Sequence, residues 1–165
     1  MAKINISEIT RNDLPYIHWV ENLEEYWHIN EHPGPYTLEE ISDCFFPTRI
    51  YSIHKQQRWV IWKSESKTPI GILDAFNFDE NNHSIGIGIL IPNKQDHNKG
   101  FGKQAIHLLI KKLTFDKQIE RVFALIDKDN EPSISLFIKS GFEFQREQMC
   151  LNRIVNRYEK LLKEK

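Results

Sequence analysis

The run Asn98-Lys99-Gly100-Phe101-Gly102-Lys103 sets two glycines one residue apart among two lysines. Glycine tolerates the backbone conformations that turn successive N–H groups to one side, and the first turn of a following helix adds unpaired donors and a partial positive charge. Those are the requirements of a cradle for a phosphate. An apolar run, Ile85 to Pro92, precedes the glycines, and a helix-patterned run, Lys103 to Phe115, follows them. A nucleotide P-loop is excluded, because His97 stands where its first glycine is needed and Gln104 where its magnesium-binding hydroxyl is needed. Gly100-x-Gly102-x-x-Ala105, with Asp127 ending the next strand, also matches a dinucleotide fingerprint. Yet eight residues separate Gly100 from Pro92, too many for the tight turn that fingerprint requires, so a dinucleotide-binding enzyme is a remote alternative.

The elements that must position this loop can be read from periodicity and turn chemistry. Lys3 to Ile9 alternates as a strand. A helix then carries Leu14, Ile17, His18 and Glu21, with Pro15 in its first turn. His32-Pro33-Gly34-Pro35 breaks the chain, Thr37 with Glu40 forms a capping box for a second helix, and Pro47 marks its end. Arg58 to Trp62, Ile70 to Phe78 and Ser84 to Ile91 read as three strands of a meander, the last with Gly86 and Gly88 inside it. After the cradle helix come a strand from Arg121 to Ile126, a helix from Asn130 to Ser140, and final strands beginning at Phe142-Glu143-Phe144. Tyr158 to Leu162 reads as strand or helix. A meander followed by strand-helix-strand-helix implies an α/β chain with a mixed sheet, in one domain over residues 1–165.

Composition narrows the class. The 165 residues are 40% hydrophobic and 27% charged with a formal net charge of −1, which offers no global attraction to nucleic acid or membrane. Cys44 and Cys150 lack metal or disulfide spacing, no metal site is implied, and the N-terminus lacks a signal-like apolar core, so a reduced cytoplasmic setting is expected. Charge is uneven. Asn12 to Thr48 holds eight acids and no Lys or Arg, whereas Lys94 to Arg121 is predominantly basic. Such runs are commonly solvated faces, but here they also offer separate halves to a cation and to an anion.

Together, Ile87-Gly88-Ile89-Leu90-Ile91-Pro92-Asn93-Lys94, His97 to Gly102, and Asp127-Lys128-Asp129-Asn130-Glu131-Pro132-Ser133 with Phe137 and Gly141-Phe142 resemble the GNAT superfamily of N-acetyltransferases. The branch that acetylates ribosomal-protein alanine or spermidine is the nearest likeness. The resemblance is good over residues 56–145 and weaker from Ile4 to Asn30. It implies a mostly antiparallel central sheet with helices on both faces, splayed at the cofactor strand, and acetyl-CoA as co-substrate. It implies further that the pyrophosphate rests on the amides of His97, Asn98, Lys99, Gly100, Phe101 and Gly102 with Lys103 nearby, while the pantetheine arm pairs with Ile89 and Ile91. Asn130, Ser133 and Phe137 would flank the cofactor. Relatives of this kind are often homodimers.

The sequence departs from that family where proton transfer is concerned. Phe137 stands where many relatives carry a tyrosine that protonates the departing thiolate, and Gly86 where much of the branch carries a basic glutamate. Asp74, Ser84 and Ser140 are the remaining candidates for acid or base. The resemblance places the acceptor at the first helices and their loop, where Tyr26, Trp27, Glu31 and Tyr36 combine carboxylate and aromatic groups. That combination suits a cationic amine: a polyamine, an aminosugar or a basic peptide N-terminus. An acyl-CoA-binding relative without turnover is the main alternative.

Overall fold

The computed structural model describes residues 2–46, 56–116 and 118–162. The chain order is β1 (Ile4–Glu8), α1 (Leu14–Glu21), a 3-10 stretch (Glu24–Ile29), α2 (Leu38–Phe45), β2 (Gln57–Lys63), β3 (Pro69–Asp79), β4 (Ser84–Leu90), α3 (Phe101–Leu113), β5 (Arg121–Asp127), α4 (Glu131–Lys139), β6 (Glu143–Cys150) and β7 (Arg153–Leu161). The end expected for α2 at Pro47 lies outside the described residues. The strand-or-helix ambiguity at Tyr158 resolves as strand, because Phe123, Ala124 and Leu125 pair across to Glu159, Tyr158 and Arg157.

One seven-stranded sheet has the order β1-β2-β3-β4-β5-β7-β6. Among the described strands, β4 and β5 form the sole parallel pair, joined through the α3 crossover. Successive side chains on a strand point to opposite faces, so each interior strand must satisfy two layers. On β2, Trp59 and Ile61 join the core under α3 and α4, while Arg58 between them and the chain start reaches α1 and α2 on the other face. This explains why β2 reads as apolar without clear alternation.

Helix α3 starts where Gly100 takes a left-handed φ of 77° and places Phe101 under the sheet. Phe101, Ala105, Ile106, Leu109 and Leu113 follow at helical spacing and are buried. Each large apolar side chain so covered contributes about 1.5–3 kcal/mol. Helix α4 starts where Asn130 Oδ1 accepts from the Ser133 N–H at 3.2 Å and Pro132 occupies the first turn. Thr37 and Glu40 make the expected capping box of α2, and their hydrogen bonds hold the Glu40 carboxyl below its usual range. No helix among the described residues is long and apolar enough to cross a membrane.

Candidate active site

Strands β4 and β5 are paired at Ser84–Arg121, Ile85–Val122 and Gly86–Phe123 only. Beyond Gly86 they diverge, while β4 stays paired with β3 as far as Leu90–Ile72. One edge of β4 therefore has no strand partner past Gly86 among the described residues. Ile89 lies on this edge, with Ile91 just past it, and both are half-buried. An unpaired edge of this kind can bind an extended ligand by backbone hydrogen bonds.

The cradle lies past the end of that edge. Asn98 and Gly100 have φ values of 58° and 77°, and the first bond of the helical ladder runs from Gln104 N–H to Gly100 C=O at 3.1 Å. The amides of Phe101, Gly102 and Lys103 precede the ladder and, among the described residues, have no backbone acceptor. Lys99 and Lys103 are exposed beside them. Gly102 is needed for packing: a Cβ there would lie 3.0 Å from Leu136 Cδ2, so the glycine lets α3 and α4 approach closely.

Four of the expected cofactor residues are placed otherwise than expected or can lend only their backbone. The His97 amide donates to Lys94 C=O at 3.0 Å, so it belongs to the turn before the cradle. Its ring Nε2 lies 2.6 Å from Ile91 C=O, occupying one of the backbone groups assigned to pantetheine. Phe101 and Phe137 offer no side-chain surface to a ligand, because both rings are 2% exposed in the core and Phe137 stacks edge-on against Phe142 at 5.0 Å. The Asn130 side-chain oxygen is committed to the cap of α4.

The proton-transfer candidates are scattered. Both oxygens of Asp74 are taken by Arg58, Nε to Oδ1 at 2.6 Å and Nη2 to Oδ2 at 2.9 Å. Arg58 also bonds Glu21 of α1 through Nη1 and lies 4.4 Å from the Phe45 ring centroid of α2. Asp74 is thus one end of a buried ion triad. Ser84 is buried at the start of β4, and Ser140 Oγ donates back to Leu136 C=O at 2.8 Å in the last turn of α4. Nothing brings these three candidates together.

Gly86 has a cause the sequence does not reveal. Phe76 lies directly opposite it across β3–β4, and a Cβ at Gly86 would stand 2.4 Å from Phe76 Cε2. The phenyl ring, which also packs edge-on to Phe123 at 5.9 Å, fills the space where a glutamate would begin. Gly86→Ala is accordingly expected to lower stability by about 1–3 kcal/mol through overpacking. Phe76→Leu in the same chain should restore part of that loss, read as a favourable coupling in a urea-denaturation double-mutant cycle. Additive effects would contradict the contact.

On the acceptor side, Trp27 and Tyr36 hold the loop. Trp27 Nε1 donates to Glu21 C=O at 3.0 Å, and its indole covers Gly34 so closely that a Cβ there would lie 2.7 Å away. Tyr36 is fixed by Asn22, which accepts from its amide at 2.7 Å, and its hydroxyl donates to His32 C=O. Tyr26 is half-buried, and burial followed by Glu25 pushes its phenol up, while Glu31 is exposed. A cluster not foreseen lies at the open end of β5. His28 Nε2 is 3.5 Å from Asp127 Oδ2, and Arg153 donates to His28 C=O at 2.7 Å. Asp127 and Arg153 are neighbours through the β5–β7 pairing and His28 arrives from the stretch after α1, so no local motif encodes the cluster.

Residues 3–143 match a family model described as acetyltransferase (GNAT) domain. The chain belongs to that family. Over 67 residues it is 36% identical to an N-acetyltransferase 9-like protein of Nematostella vectensis, a match spanning 41% of this chain and 34% of that protein. The GNAT fold extends through the described chain. The aminoglycoside acetyltransferase AAC(6')-Ib, solved with coenzyme A, superposes with a TM-score of 0.81 at 16% identity over 96% of this chain and 95% of its own. A spermidine N-acetyltransferase of Vibrio cholerae, solved with coenzyme A and spermine, superposes at 0.79 with 18% identity and covers 96% and 95%. The dinucleotide alternative fails on topology, since a sheet with a single parallel pair is not a doubly wound parallel fold.

Proposed function

We propose that this GNAT domain transfers an acetyl group from acetyl-CoA to a primary amine. The observation that carries this reading is the unpaired edge of β4 leading into the open amides of Phe101 to Lys103. Their order fits an extended arm that ends in a diphosphate. Acetyl-CoA supplies the acyl carbon as a thioester: the amine nitrogen forms the new C–N bond, the C–S bond breaks, and the thiol leaves with a proton.

The chain's own residues contribute alignment and charge. Backbone N–H groups on the free edge of β4 can polarise a carbonyl placed against them, and the exposed acids after α1, Glu24, Glu25 and Glu31, favour an amine's approach. Gly86 and Phe137 offer no acid or base, and Asp74 is clamped by Arg58. Water takes the proton of the attacking amine unless His28, paired with Asp127 at the open end of β5, does so, and catalysis rests on positioning.

A thiol-release assay with a panel of amines tests this. The value of kcat/KM is expected to rise with pH with a log-log slope of about one over about pH 6.5–8.5, following deprotonation of whichever amine is used. A plateau at one pH for amines of different basicity would point to a general base in the protein. The second reading, an acyl-CoA-binding relative without turnover, is motivated by the phenyl ring over Gly86. It prevails if calorimetry finds coenzyme A bound while no amine accelerates thiol release.

A further inference from the structure

A cavity of about 420 Å³ opens on the sheet face opposite α3 and α4, from the end of β3 across β4, β5 and β7 to β6. Phe123 and Leu125 form its apolar wall. Phe123 belongs to the last residue pair before β4 and β5 diverge, so one end of the cavity reaches the apex of the opening, while Ser84, Arg121 and the β3–β4 hairpin bound the other end.

Three arginines converge on it from three strands: Arg121 of β5, Arg157 of β7 and Arg146 of β6. Register brings them together. Leu125 stands opposite Arg157, and Arg157 stands opposite Arg146. Like charges directly opposite one another on a sheet repel, so the arrangement calls for an anion.

The protein supplies less negative charge than the arginines require. Glu159 accepts from Arg157 Nε at 2.7 Å and lies 3.5 Å from Arg121 Nη1. Asp79, the other carboxylate of the lining, accepts from the Asn81 amide at 2.9 Å and from Asn82 Nδ2 at 2.6 Å in the β3–β4 hairpin, and the charge of Arg157 also reaches it, so three guanidiniums face two carboxylates. Arg157 stacks 3.8 Å from the Phe123 ring centroid, which fixes its guanidinium at the wall. Arg121 Nε is buried without a hydrogen-bond partner among the described residues. Arg146 is exposed and has no ion-pair partner among them.

We propose that this cavity receives the anionic end of the acceptor, a carboxylate or a phosphate, and directs the amine at its other end to the apex of the opening. The proposal rests on the amine-acetylation reading and specifies its substrate class. Guanidinium forks match the paired oxygens of carboxylate and phosphate, whereas a polycation in the same cavity meets three like charges. The exposed acids after α1, Glu24, Glu25 and Glu31, draw the amine while the arginines hold the opposite end. The acceptor is thus zwitterionic.

The test compares acceptors matched in their amine: γ-aminobutyrate against butylamine, and phosphoethanolamine against ethylamine. The anionic member of a pair is expected to exceed its neutral partner in kcat/KM by about tenfold, the size of one charge-assisted contact. The pair with the larger ratio identifies carboxylate or phosphate. Arg146→Gln, at an exposed position, should bring the ratio toward one, and Arg146→Lys should recover part of it. Equal use of both members by the wild type, or a ratio indifferent to Arg146→Gln, overturns the proposal and leaves amine acetylation standing. Binding is read separately from turnover by the Nε–H resonances of Arg121 and Arg157 in nitrogen-15 spectra. Shifts with γ-aminobutyrate or phosphoethanolamine, absent in Arg146→Glu, uphold the cavity even if no amine releases thiol, in which case the catalytic reading is the one that falls. No shift at saturating probe overturns the cavity.

Discussion

Replacing Arg58 with alanine is expected to lower the unfolding free energy by about 3 kcal/mol, near the lower end for breaking a buried ion pair. Arg58 is 7% exposed, and among the described residues it alone pairs with Glu21 and Asp74, whose side chains are 17% and 19% exposed. Removing it leaves two carboxylates close together with little water to screen them, and strips the cation from the Phe45 ring. Lysine at this position should recover only part of the loss, since a point charge cannot engage both carboxylates in the fork geometry of a guanidinium. Urea denaturation measures the effect, and a loss below about 1 kcal/mol would show that solvent already screens the triad. The triad also ties α1 to β2 and β3, so the same change should raise KM for the amine more than it weakens coenzyme A binding.

The second large effect concerns Gly100. Gly100→Val is expected to weaken coenzyme A binding by about 50-fold, measured by calorimetry. At a φ of 77° a β-branched residue is strained, and relieving that strain rotates the peptide groups on either side. The amides at the start of α3 then lose their common aim, and one hydrogen bond to a charged group contributes about 1.5–3 kcal/mol. The helix itself should persist, because Phe101, Ala105, Ile106 and Leu109 anchor it independently of the loop. An unchanged affinity with intact circular dichroism would mean that the diphosphate binds elsewhere.

Local signals foretold the parts of this fold that depend on neighbours in sequence. The Thr37–Glu40 box and the glycine turn before α3 act within four residues, and both form as the sequence implies. The three meander strands were legible for the same reason, within a residue at each end for β2 and β3. What escaped were facts of register. That Arg58 faces Asp74 and that Phe76 faces Gly86 follow from how β2, β3 and β4 slide against one another. The arginine cavity is equally hidden, since its three guanidiniums lie on segments 121–127, 143–150 and 153–161 and share a face only after pairing. His97 shows the opposite failure. A motif placed its amide in the cradle, but a local turn to Lys94 claims that amide first.

The ring of Phe76 over Gly86 also governs how this lineage can change. A catalytic glutamate cannot reach position 86 by one substitution, because any side chain there collides with a neighbour already in place. The aromatic residue must shrink first, which opens a void against Phe123. Two coupled changes therefore separate this chain from a carboxylate at that position.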